Sequence, residues 1–381
     1  MRKYLILIFC FLFFGCEKWR RGIYPIKSPG FQAQEWSFEA STCDYLKGVC
    51  NPCASGVLQQ IAQLATKQGE SYTHPFVNKE LGIGFSPFKH TQGIGRIPGL
   101  DNENWLLIPR HHHRKVAEAG IISVEYPSIE SQGKAWRQNS QGHMRHFYST
   151  HDNHHPGGCQ MIGQTLVVAH ENGQKDLPAQ SWISFYDAKN PKAIKEVNRL
   201  YLDGTDAAGQ SFPIIAKGQA TCVAISRLPN QHYLLFALDS RESLKKKKGW
   251  FFLSTSTDLQ QTDWVYRQFW QQQETLPHED SWQTYHNIGL IEDCQDGQLY
   301  LCAYAGKGTK NVIDVFQLLF QESGTIALKK VMEKKVFTRS KGASFRAGST
   351  LHISPDHELI LYAVEKDEKG RWMMVEEFVK K

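Results

Sequence analysis

Five histidines fall within thirteen residues of this chain: His143, His146, His151, His154 and His155. Imidazole is the side chain that ligates transition metals most readily and exchanges a proton nearest neutral pH. The spacings His143-x-x-His146 and His151-x-x-His154, with Asp152 beside them, offer nitrogen and oxygen donors to one transition metal if the local chain turns suitably. A second chemistry uses His155 with His90, His286 and Arg346 as acid, base and clamp toward an anionic or sugar-like substrate. No paired-carboxylate motif, nucleophile elbow or phosphate loop accompanies them. The third reading asks least of these residues: a polar face that binds a protein, a glycan or an anionic ligand without turnover. That scaffold is the main expectation, with a hydrolase or a metal-dependent enzyme as the alternative.

The elements that must position these groups repeat along the chain. Gly93–Ile97, Gly158–Ile162, Thr221–Ile225, Asn287–Ile291 and Ser349–Ile353 align, and their closing isoleucines stand at 97, 162, 225, 291 and 353. Each is followed, after a polar turn, by a second apolar run: Trp105–Ile108, Leu166–Val168, Tyr233–Ala237, Leu299–Ala303 and Leu359–Val364. A third comes next in each copy: Ile121–Tyr126, Trp182–Tyr186, Trp250–Ser254, Val312–Leu318 and Trp372–Val375. Short apolar, β-branched runs between Gly, Asn and Pro read as strands and turns. Five in-phase copies of about four strands predict an all-β protein, a five-bladed β-propeller, because such units bury both faces only when packed in a ring. In that geometry the residues before each first strand share one face with the loops joining second and third strands. His90, His155 and Arg346 each stand seven residues before a repeat isoleucine and His286 five before, so all four are expected at one mouth of the central channel. Arg110–Lys115, Arg241 with Lys245–Lys248, and Lys307–Lys310 fall on the same face, the four-lysine run reading as solvated charge.

Phe185-Tyr-Asp-Ala-Lys-Asn-Pro-Lys-Ala-Ile194 resembles the strand–Asp-x-x-Asn-Pro ending of LVIVD-type bacterial propeller repeats. The resemblance covers one blade and implies a propeller and no particular chemistry.

Met1–Tyr4 is a basic lead into the apolar Leu5–Phe14, which reads as a secretory signal over residues 1–15 and is too short to span a bilayer as a helix. Leu12-Phe-Phe-Gly-Cys16 resembles a bacterial lipobox, which implies cleavage before Cys16, lipid on that cysteine and a membrane attachment at the bacterial cell envelope, facing periplasm or exterior. Residues 16–34 then read as a tether, 35–79 as a cysteine-containing extension and 80–381 as the propeller. Trp36–Ala40 is expected to supply the outer strand that the last blade lacks, and so to cover its edge.

Cys43, Cys50 and Cys53 precede residues 56–66, where apolar positions 57, 58, 61, 64 and 65 predict a helix. Cys50-Asn-Pro-Cys53 has the local form of a redox motif without the βαβ context, so a structural disulfide within these three cysteines is expected, a zinc knuckle lacking an evident fourth ligand. Cys159 and Cys222 occupy equivalent first-strand positions and read as small buried hydrophobes. A formal charge of +6 with no arginine-rich arm disfavours nucleic acid as a partner.

Overall fold

The computed structural model describes residues 53–67, 70–75, 89–97, 104–112, 120–126, 144–148, 154–172, 181–213, 220–240, 246–272, 283–307, 309–321, 323–338, 343–364 and 372–380. Cys10, Cys16, Cys43, Cys50 and Trp36–Ala40 lie outside them.

Among the described residues, β1 (Cys53–Ala54), α1 (Val57–Gln63) and β2 (Glu70–Pro75) precede the blades in sequence. Blade 1 contains β3 (Lys89–Thr91) and β4 (Gly95–Ile97), both paired with β5 (Asn104–His112), then β6 (Gly120–Tyr126) and β7 (Met144–Tyr148). Blade 2 is β8 (His154–Ile162), β9 (Thr165–Asn172), β10 (Trp182–Asp187) and β11 (Lys195–Tyr201). Blade 3 is β12 (Cys222–Arg227), β13 (Tyr233–Asp239), β14 (Lys248–Ser254) and β15 (Trp264–Gln271). Blade 4 is β16 (Asn287–Asp293), β17 (Leu299–Lys307), β18 (Lys310–Phe320) and β19 (Ile326–Phe337). Blade 5 is β20 (Ser349–Ile353), β21 (Leu359–Val364) and β22 (Trp372–Phe378). The protein is a five-bladed β-propeller, and all five repeat isoleucines sit buried on the first strands of their blades.

Five apolar clusters hold the ring together, one at each blade–blade interface. Val167, Phe185 and Leu235 join blades 2 and 3, and Phe236, Leu290 and Phe316 join blades 3 and 4. Ile108, Tyr362 and Val364 join blades 5 and 1, and Trp105, Leu166 and Tyr186 join blades 1 and 2. A strand caught between two such interfaces is apolar on both faces, which is why Tyr233–Asp239 is buried along its whole length.

The interface of blades 4 and 5 also takes in α1, whose Val57, Ile61 and Leu64 pack with Ile291, Val315 and Leu361. Its N-terminus lacks a side-chain cap of its own, and Gly56 stands there in the left-handed region at φ 70°. The Asp293 carboxylate, from blade 4, accepts from the amides of Gly56 (3.0 Å) and Val57 (2.8 Å) instead, as a capping side chain would.

The N-terminal region closes the ring, though with other residues than expected. Glu70–Pro75 pairs antiparallel with β22 and takes the outer position of blade 5 that was expected of Trp36–Ala40. The disulfide also differs in partner. Cys53 is bonded to Cys294, 241 residues away in the turn after β16, and not to Cys43 or Cys50. β1 lies parallel to the end of β16, with Cys53 opposite Glu292, and this pairing delivers Cys53 to that turn.

Cys159, Cys222 and Cys302 are buried thiols, and burial pushes each of them well above the ordinary thiol range. They are expected to resist alkylation in the native protein and to react within minutes in denaturant. Mass-spectrometric mapping of the labelled cysteines checks this; fast native labelling at any of the three would contradict the packing.

Candidate functional site

The five first strands run in the same sense, so their starting ends gather at one face of the ring. They come together more tightly than a channel would allow. The Gly158 amide donates to the Thr221 carbonyl at 2.8 Å, linking blades 2 and 3. A Cβ added at Gly157 would lie 2.2 Å from that carbonyl oxygen, and one at Gly158 would lie 2.3 Å from the His286 carbonyl of blade 4. A Cβ at Gly348 would lie 2.8 Å from the Gly93 backbone, which closes blade 5 on blade 1. Only glycine permits backbone approach this close.

Polar side chains fill the axis below. Gln160 Oε1 accepts from the amides of Ile225 (2.8 Å) and Leu290 (3.0 Å), while its amide donates to the Leu290 carbonyl at 2.9 Å. Tyr304 accepts from the Leu351 amide at 3.0 Å. The expected channel mouth is therefore closed, with these first strands and side chains as its floor.

His155 is the second residue of β8, three before Gly158 of that floor. The Gln92 amide, from blade 1, lies 2.9 Å from Nε2. Assigned from that donor, the ring proton sits on Nδ1, which faces the Glu171 carboxylate at 3.9 Å. The side chains of His155 and Glu171 remain 22% and 17% exposed, while Nδ1 itself is shielded from solvent. Glu171 follows from register: it is the residue of β9 directly opposite His155.

The other expected residues occupy the same end of the ring in different settings. His90 is on β3, in register with His111. His286 is half-buried, immediately before β16, and its amide donates to the Tyr304 carbonyl at 3.3 Å. Arg346 is exposed, with its amide donating to Ser344 Oγ at 3.2 Å.

Two cations depart from the solvated picture. Lys247 is 5% exposed, with Nζ donating to the Ser240 carbonyl at 3.2 Å and to Thr284 Oγ1 at 3.4 Å. Arg110 belongs to β5 and is 1% exposed. Asp239, fully buried at the end of β13, adds a carboxylate on this side of blade 3. Gln92, Glu171, Lys247 and Asp239 carried no motif in the sequence. A strand-pairing register for blade 2 alone would have found Glu171.

The histidine set considered for a metal is spread over two blades. His146 is on β7, the outermost strand of blade 1, opposite Ile122, whereas His154 and His155 open the innermost strand of blade 2. His143 and His151 lie outside the described residues.

The Asp187-to-Pro191 segment serves the turn between β10 and β11. Asp187 accepts from the Lys189 amide and Asn190 from the Lys192 amide, both at 3.0 Å. These are side chain-to-backbone bonds two residues on, the ordinary work of Asp and Asn in turns.

No family model and no curated protein matches the chain. Solved structures do resemble it. A protein of unknown function from Dyadobacter fermentans DSM 18053 is 10% identical over 82% of this chain and 99% of that one, with a TM-score of 0.45. A thermostable family-43 glycoside hydrolase is 11% identical over 80% and 91%, with a TM-score of 0.44. An N-acetylgalactosamine deacetylase from F. plautii, in complex with blood group B trisaccharide, is 8% identical over 83% and 95%, with a TM-score of 0.47. At such identities and scores these likenesses carry no inference about substrate or site.

Proposed function

We propose that this chain is an envelope lipoprotein whose propeller binds an anionic or glycan ligand, free or displayed on a partner protein, at the His155 face. The observation that supports this most is the setting of His155. Its imidazole is half-buried where the first strands meet, with a donor from the neighbouring blade on one nitrogen and a carboxylate facing the other. A side chain held this way loses little further freedom when a ligand arrives. Arg346 and His286 add cationic or titratable groups at the same end of the ring.

The lipid anchor in this proposal rests on the lipobox-like Leu12–Cys16 segment. Labelling with a fatty-acid probe is expected to disappear in Cys16→Ser, and labelling that persists would remove the lipid anchor from the proposal.

Binding is tested by titrating acidic glycans, phosphorylated compounds and carboxylates against the purified protein. An anion is expected to bind through the charge of the exposed Arg346 at this end of the ring. Added salt weakens it by screening. His155→Ala with Arg346→Ala is expected to cost about tenfold in affinity, which corresponds to about 1.4 kcal/mol. Unchanged affinity in that variant would place the site elsewhere.

A hydrolase remains the second reading, favoured by Glu171 beside His155, since a carboxylate facing an imidazole is how many general bases are oriented. Turnover of chromogenic glycosides or esters that is lost in Glu171→Gln would establish it. A ligand bound without turnover would leave the scaffold.

A further inference from the structure

We propose that Cys53, Cys294 and His357 form a binding site for a thiophilic d10 cation such as zinc when the Cys53–Cys294 bond is reduced. The three residues come from β1, from the turn after β16 and from the turn between β20 and β21. They meet on the face opposite His155. Their ligating atoms lie within 4.8 Å of one another. His357 Nδ1 is 3.6 Å from Cys294 Sγ and 3.0 Å from the Cys53 carbonyl oxygen.

That sulfur–nitrogen distance is compatible with a shared metal. Zn–S bonds of about 2.3 Å and Zn–N bonds of about 2.0 Å at the tetrahedral angle set sulfur and nitrogen about 3.5 Å apart. Two thiolates and an imidazole are a donor set that selects soft or borderline cations, and a water completes the tetrahedron.

The backbone at His357 supplies an independent observation. Its φ is +61°, in the left-handed region where a side chain is sterically costly. The same first-to-second-strand turn uses Gly163 (φ 51°) in blade 2 and Gly297 (φ 70°) in blade 4. Blade 3 has Gln231 there, whose amide is used within its own turn on the Pro229 carbonyl. His357 instead reaches out of its turn, to β1 and Cys294.

A dithiol reductant passes two electrons to the Cys53–Cys294 bond, becoming a disulfide itself and leaving two thiols. A divalent cation then displaces one proton from each thiol, and the two sulfurs part to about 3.8 Å by side-chain rotation. In the disulfide form Nδ1–H donates to the Cys53 carbonyl. In the metal form Nδ1 supplies its lone pair and the ring proton moves to the exposed Nε2.

Reduction leaves the N-terminal segment in place. The Asp293 carboxylate still accepts from Gly56 and Val57, and Gln60 still bonds the His357 carbonyl and the Leu359 amide.

The test uses the full chain with zinc and cobalt(II) alone as probes. The oxidised protein and the protein reduced and then desalted without oxygen are titrated in parallel. About one metal per chain is expected only after reduction, with cobalt giving thiolate charge-transfer bands and tetrahedral ligand-field bands. His357→Ala, an exposed position, is expected to weaken zinc at least tenfold in chelator competition, since even a second-shell loss costs about 10–100-fold. Cys294→Ser, verified as folded by its melting curve, should lose the stoichiometric site. No metal after reduction would overturn the proposal. So would binding that survives both substitutions, which would assign the metal to other cysteines.

Discussion

Gly158→Ala is expected to lower the melting temperature by roughly 6 °C or more, the equivalent of about 3 kcal/mol in a domain of this size. The added methyl would lie 2.3 Å from the His286 carbonyl oxygen and 2.6 Å from Cys222 Cβ, and neither can swing aside as a long side chain would. Relief requires blade 2 to withdraw from blades 3 and 4, which breaks the 2.8 Å bond from the Gly158 amide to the Thr221 carbonyl. The same movement shifts His155, three residues earlier, away from Gln92, so ligand affinity should fall along with stability. Gly289→Ala is the control. It lies on β16 at the same axis, but its Cβ would meet nothing closer than 3.7 Å, an ordinary contact. Calorimetric melts of both variants decide the matter. Two equal shifts, or no shift in Gly158→Ala, would show that the first strands are not close-packed as described.

The contrast between these glycines explains what could be read in advance. The blades were legible because strands pressed between neighbours on both sides are continuous apolar runs, as in Leu234–Leu238 and Leu359–Val364, and because the repeat isoleucines recur at nearly equal spacing. The closing strand was not. Glu70-Ser-Tyr-Thr-His-Pro75 has no apolar alternation, whereas Trp36–Ala40 looked like an edge strand by composition. Cys294 was hidden by 241 residues of separation, since only the finished ring shows which turn β1 approaches. The site divides in the same way. His155 stood out through its histidine-rich segment and its phase in the repeat. Gln92 and Glu171 are single polar residues whose roles come from contact between blades and from strand register. Lys247 sat in a run of four lysines that reads as solvated, yet one member turns inward beside β14 and finds Ser240 and Thr284.

Lys330→Met is expected to destabilise the protein by about 3 kcal/mol at neutral pH, because it strands a charge that has no water to fall back on. Lys330 Nζ lies 2.9 Å from Asp314 Oδ1, and the Asp314 side chain is wholly buried. The other carboxylate oxygen accepts from the Tyr285 hydroxyl at 2.5 Å. Burial raises the Asp314 carboxyl above its ordinary range, even though Tyr285 and Lys330 both pull it down. A carboxyl whose folded pKa is raised loses stability as pH climbs past its unfolded value, and removing Lys330 enlarges that loss. The defect in Lys330→Met should therefore be large at pH 7 and shrink as acid protonates Asp314. Asp314→Asn combined with Lys330→Met is expected to recover most of the stability, since no buried charge then remains. Tyr285 immediately precedes His286, so the single variant should also loosen the binding face, detectable as weaker binding before any unfolding. Denaturant titrations of the cycle at two pH values carry the test. An equal loss at both pH values, or a double variant as unstable as the single, would mean that Lys330 acts by packing alone and that Asp314 does not depend on its charge.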